Sequence, residues 1–142
     1  MYRQGVEMAL MQWNESLVLN IPTIDKQHQI LVKWMNIFHD KHLEGNVNES
    51  LQALQQLAKY CVLHFEDEEK MMATHSYPDF ENHKASHQRL LGQVQKLIGD
   101  YEKSPNRLNG DRLGTFLKNW LQNHILGTDK SYAESMIEAG VK

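Results

Sequence analysis

At 142 residues, with 15 basic against 18 acidic side chains and a net charge of -3, the chain has the size of one ordinary domain and no charge block suited to nucleic acid. Its one cysteine, Cys61, excludes an intrachain disulfide and agrees with a reducing compartment, so a cytoplasmic protein is expected. Met1 to Trp13 lacks the apolar run of a signal peptide, and no later segment approaches the roughly 20 apolar residues that span a bilayer, so no membrane partner is expected.

In chain order, residues 1–23 read as an N-terminal arm, with Trp13 as its anchor. After Pro22 and Thr23, the residues Ile24, His28, Leu31, Met35, Phe38 and His42 recur at steps of four and three, which predicts a helix that stops at Gly45. The rhythm resumes after Asn48 through Leu54, Leu57, Cys61, His64, Glu68 and Met71, the longest predicted helix, which ends before Pro78. A third helix is predicted from Asp79, a capping residue, through Phe80, His83, His87, Leu90, Val94, Leu97 and Tyr101 to Ser104 and Pro105. The fourth is predicted to follow an Asn109 and Gly110 turn and to run through Leu113, Leu117, Trp120 and His124, with Gly127 as its C-terminal cap. A short helix near Ser131 to Ala139 completes the reading. No sustained period-two alternation competes, and the short connections make sequence neighbours antiparallel. The expected fold is all-α, an up-down-up-down four-helix bundle over residues 24–127 with a C-terminal segment at 128–142, all one domain and a monomer.

Polar residues interrupt these stripes at one depth. His28 lies near the start of the first helix, His64 and Glu68 in the latter half of the second, His83 and His87 near the start of the third, and His124 near the end of the fourth. In the predicted topology these places share one end of the bundle. Inward polar groups need partners, and the i,i+4 pairs His64 with Glu68 and His83 with His87 each project from one face. Asp129 is five residues beyond His124, a rotation that would leave it about 140° off that face in a regular helix. A helix ending at Gly127 would let it swing back. Five imidazoles are too many for one tetrahedral zinc, whereas two carboxylates suit bridging between two metals. No Glu-x-x-His falls on a stripe, which argues against the carboxylate-rich ferritin-like recipe. His39, His42 and His75 lie outside this spacing and are read as ordinary histidines, and Cys61 as a buried inert thiol. In the run from Glu66 to Glu69, every residue except Glu68 is read as solvated, and Asp25 as a complement to the helix dipole.

These residues resemble the hemerythrin family over about residues 13 to 132. The resemblance rests on Trp13, Ile24-Asp25-Lys26-Gln27-His28, the run from His64 to Glu69, Tyr77-Pro78, His83-x3-His87, and Trp120-Leu121-x2-His124-Ile125-x3-Asp129. It implies a non-haem di-iron centre with an oxo or hydroxo bridge. His83, His87 and His124 would ligate one iron, His28 and His64 the other, and Glu68 and Asp129 would bridge both. The second iron then keeps an open position for dioxygen. Leu31, Phe65, Trp120, Leu121 and Ile125 are similar to the family's apolar oxygen-pocket residues. The implied function is reversible dioxygen binding for storage, delivery or sensing, not enzymatic turnover. A di-iron oxidase or peroxidase, and a regulatory module responding to nitric oxide, iron or redox state, remain the alternatives.

Overall fold

The structure, a computed structural model, describes residues 10–141. After a 3-10 turn at Glu15–Leu17 come α1 (Pro22–Leu43), α2 (Val47–Thr74), α3 (Phe80–Lys103) and α4 (Arg107–Asn123). A π-turn at His124–Asp129 then leads without a break into α5 (Lys130–Glu138). Each long helix packs on its sequence neighbour, and α1 also packs on α4, which closes the four-helix bundle. Among the described residues no helix is long and apolar enough to cross a membrane.

Local chemistry sets the helix ends. Pro22 occupies the first turn of α1, where its missing N–H costs nothing, and Gly45 leaves the helix at φ 77°. Asp25 does more than complement a dipole. Its carboxylate accepts the backbone N–H of Leu19 at 2.8 Å and of Asn20 at 3.1 Å, which ties the arm to the first turn. The α2 cap is Asn46, whose side chain accepts the Glu49 N–H while its amide donates back to the Glu49 carboxylate.

Asn109 and Gly110 do not form the predicted turn. Asn106 caps α4 by accepting the Asn109 N–H at 2.8 Å, so Gly110 lies inside the helix. A Cβ built on Gly110 would fall inside the His42 imidazole, so glycine here serves close helix contact instead of a turn. Gly127 likewise caps nothing, because the backbone stays helical from His124 to Lys130.

Ile24, Leu31, Met35, Phe38, Leu54, Leu57, Leu113 and Leu117 form the core, as their stripes predict. On α2 the buried methionine is Met72 instead of Met71. Residues 1–9 of the expected arm, including Met8, lie outside the described residues. The described part is held by Asn36, whose side chain accepts the Met11 N–H at 2.9 Å and donates to the Met11 carbonyl at 2.7 Å. Met11 is buried whereas Trp13 is only half-buried, so Met11 is the firmer anchor.

Candidate metal centre

All seven predicted side chains meet at one end of the bundle. His28 comes from α1, His64 and Glu68 from α2, and His83 and His87 from α3, while His124 and Asp129 stand at the two ends of the π-turn. The i→i+5 repeat of that turn brings His124 and Asp129 onto one face, which a regular helix could not do. That winding, and no helix end at Gly127, is what returns Asp129 to the interior. None of the seven exceeds 3% exposure.

The cluster has two halves. Donor atoms of Glu68, His83, His87, His124 and Asp129 lie within 4.8 Å of one another, and so do those of His28, His64, Glu68 and Asp129. The two carboxylates belong to both halves, and each divides its oxygens between them. Asp129 Oδ1 lies 3.0 Å from His124 Nε2 and 3.3 Å from His83 Nε2, while Oδ2 lies 3.0 Å from His28 Nε2. Glu68 Oε1 lies 3.2 Å from His87 Nε2, while Oε2 lies 3.4 Å from His64 Nε2.

Only part of this proximity is hydrogen bonding: His28 Nε2 and His64 Nε2 share one at 3.1 Å. The Nε2 atoms of His83, His87 and His124, with Glu68 Oε1 and both Asp129 oxygens, are buried without a properly aligned partner. One unmet buried polar group costs about 1–3 kcal/mol, so six converging on one volume would be hard to sustain unless they serve a cation. The residues present therefore fit bound metal: imidazole nitrogens and carboxylate oxygens gathered in two groups that share both carboxylates.

Outer partners fix two of the imidazoles, those of His64 and His87. Gln27 donates its amide to Asp67 Oδ2 at 2.8 Å, which turns its carbonyl oxygen toward His64 Nδ1 at 2.7 Å. His64 Nδ1 must then carry the proton, leaving Nε2 bare on the inner side. His87 Nδ1–H donates to Glu69 Oε2 at 2.9 Å in the same way. Tyr132, fully buried, donates its hydroxyl to Glu68 Oε2 at 2.8 Å. The acidic run is thus not merely solvated, since Asp67 and Glu69 both support ligand histidines. Sequence reasoning missed these residues and Gln27 because each is offset from the strict stripe. The available signal was a polar Gln27 three residues after Ile24, on the buried side of α1.

Electrostatics points the same way. Burial alone would raise the pKa of Glu68 and Asp129, yet the surrounding histidines outweigh it and hold both carboxyls well below the usual range. Burial would lower His83 and His124, but the two carboxylates raise them to about 9 and about 10. His64 is dominated by burial and falls to about 4. A field that holds protons on two buried imidazoles also favours metal cations in their place.

Phe65 stacks on His87 with centroids 3.9 Å apart and planes 6° from parallel, and meets Trp120 edge-on at 5.9 Å. Leu31, Leu121 and Ile125 are fully buried in the core. His75 bonds the Met71 carbonyl, and His42 pairs with Tyr101 and Asp111, so neither joins the cluster. Burial pushes the Cys61 thiol up to about 12, as expected of an unreactive thiol.

The model of the hemerythrin HHE cation binding domain matches residues 19–134. The chain belongs to the hemerythrin family. It is 36% identical to a bacteriohemerythrin of Methylococcus capsulatus over 126 residues, 88% of this chain and 95% of that one. It is 31% identical to a hemerythrin-like protein of Naegleria gruberi over 122 residues, 84% of this chain and 88% of its relative. A crystal structure of wild-type hemerythrin superposes with a TM-score of 0.81 at 34% identity, covering 90% of this chain and 98% of the other. This hemerythrin chain therefore shares its fold with solved relatives and carries a cluster able to hold metal.

Proposed function

We propose that the seven side chains hold two iron ions and that the protein binds dioxygen reversibly, for storage, delivery or sensing. The observation that carries this reading is the division of each carboxylate, with one oxygen toward the three-histidine half and the other toward the two-histidine half. Glu68 and Asp129 would bridge the ions. Two iron ions joined by an oxo or hydroxo group would lend two electrons to dioxygen and recover them on release.

The chain's own residues make that exchange selective. The half built on His28 and His64 has one fewer protein nitrogen than the other, so an ion held there would be the one with room for an external ligand. Leu31, Phe65, Trp120, Leu121 and Ile125, all buried, would form an apolar wall that withholds water and protons and so favours release of the ligand unchanged. Gln27 and Glu69 lock the rings of His64 and His87 against rotation.

The test is an anaerobic optical titration of iron-loaded, reduced protein. A visible charge-transfer band that appears with oxygen and vanishes under inert gas, without added reductant, is the expected result. Irreversible oxidation with peroxide release would replace this reading with an oxidase, and no band at all would sink the di-iron assignment.

A further inference from the structure

The proposed centre is buried on every side, which leaves open how a ligand reaches it. Among its seven residues the least buried is His124, at 3%, and among the five apolar wall residues it is Trp120, at 7%. These two stand one turn apart on the same helical run. Both line one groove of about 400 Å³ between α3 and α4, whose other walls include Leu90, Phe116, Asn119 and Asn123. Two grooves of about 410 and about 350 Å³ on the α1 and α2 side include none of the seven.

Trp120 is the partition between groove and interior. It lines the groove while its ring lies 5.9 Å from Phe65 and 5.9 Å from His124, and Phe65 stacks on His87. Its indole Nε1 is buried without a hydrogen-bond partner. An unmet donor of this kind destabilises the conformer that hides it. The groove supplies the remedy, because the amide oxygens of Asn119 and Asn123 are acceptors on its rim. Its volume, against about 30 Å³ for one liquid water, leaves room for the ring to swing.

We infer that the groove between α3 and α4 is an access vestibule for small uncharged diatomic ligands, and that Trp120 is its gate. In the closed conformer the indole seals the apolar wall with its N–H unmet. In the open one it turns into the groove, pairs with a rim amide and uncovers Phe65, whose ring also lies 5.7 Å from that of His64, in the half with the place for a ligand. The inference rests on the seven residues being the metal centre.

A gate alters the barrier and not the end states, which defines the experiment. Asn119 is exposed, so Asn119→Tyr fills the groove without threatening the core, and Leu90→Phe fills it from the other wall. In the iron-loaded protein, stopped-flow should show dioxygen association and dissociation both slowed by about tenfold, with their ratio unchanged. Unchanged rates in both variants, or a changed ratio, would overturn the gate.

A metal-free readout separates this from failure of the oxygen-binding reading. With Trp13 and Trp34 replaced by Phe, Trp120 is the sole indole. Quenching of its fluorescence by dissolved dioxygen should then drop several-fold on adding Asn119→Tyr. If the loaded wild type binds no oxygen but quenching still drops, the vestibule stands and the function falls. Quenching indifferent to the filled groove would overturn the vestibule itself.

Discussion

Two buried polar clusters sit at opposite ends of this bundle, and they differ in one respect. At the end where α1 stops and α4 starts, His42 pairs with Tyr101 at 3.3 Å and with Asp111 at 3.2 Å, and Ser50 joins Tyr101 at 3.0 Å and the Val47 carbonyl at 2.8 Å. The buried side chains of this network are all partnered. At the other end, six inward nitrogen and oxygen atoms of His83, His87, His124, Glu68 and Asp129 are not. A satisfied network is complete as protein and its contribution is to packing, whereas an unsatisfied and more deeply buried one is complete only with something added. The contrast assigns the histidines to different work where residue type alone could not.

Substitutions at the two ends should therefore fail differently. The largest effect is expected from Asp129→Asn, which keeps the shape but weakens the anion shared by both halves of the centre. Bound iron should fall from two ions per chain to one or none by elemental analysis, with the fold intact by circular dichroism. His42→Gln should keep both ions. If Asp129→Asn still loads two ions, the bridging role is wrong.

Next in size is Gly110→Ala, at the satisfied end. Its Cβ would occupy the space of an imidazole held between Phe38 and Tyr101, which stack on and abut the ring at 5.8 and 5.6 Å. A cost of about 3 kcal/mol in denaturant unfolding is expected, with metal content unaffected. Adding His42→Ala should recover part of the loss, since the two sites are coupled through one contact. Purely additive losses would show that the close approach is not what requires glycine.

A smaller effect tests the outer partners. Glu69→Gln converts the carboxylate that receives His87 Nδ1–H into an amide, and metal affinity should fall by about 10- to 100-fold in competition with a chelator. Asp67→Asn acts one bond further out, through Gln27, and should cost less. Equal losses would mean that both act only through surface charge.

The helical stripes were legible in the sequence because apolar burial enforces their spacing. The pairs His64 with Glu68 and His83 with His87 were legible for the same reason, since residues four apart share a helix face. Asp129 does lie inside the bundle, but not by the expected route. Nothing in His124-Ile125-Leu126-Gly127-Thr128-Asp129 announces i→i+5 winding, so Gly127 read as a stop when the backbone in fact continues helical. Gly110 misled in the opposite sense, since a glycine needed for close helix contact looks the same as one needed for a turn. Gln27, Glu69 and Tyr132 were hidden because hydrogen-bond partners of ligands follow no period. Their roles depend on which helix faces which, and that is known only once the bundle is assembled.

The finest discrimination between the clusters is by pH in the metal-free protein. His83 and His124 have folded-state pKa values raised from 6.5 to about 9 and about 10, so between these limits the folded chain binds more protons than the unfolded one, and stability is lost as pH rises through that window. His64 is lowered from 6.5 to about 4, so the unfolded chain binds more protons there, and stability is lost as pH falls through it. Glu68 and Asp129, both held low, add to the acid-side loss. The opposing slopes meet near 6.5, and the urea midpoint of the metal-free protein should peak there. Metal loading requires His83 and His124 to give up their protons, so it should be accompanied by proton release that grows as pH falls from 9 toward 6.5. The loaded protein should then hold its midpoint across the alkaline window in which the metal-free protein weakens. A metal-free midpoint that stays flat from pH 6.5 to 9 would mean that these imidazoles are not held against the carboxylates by the fold.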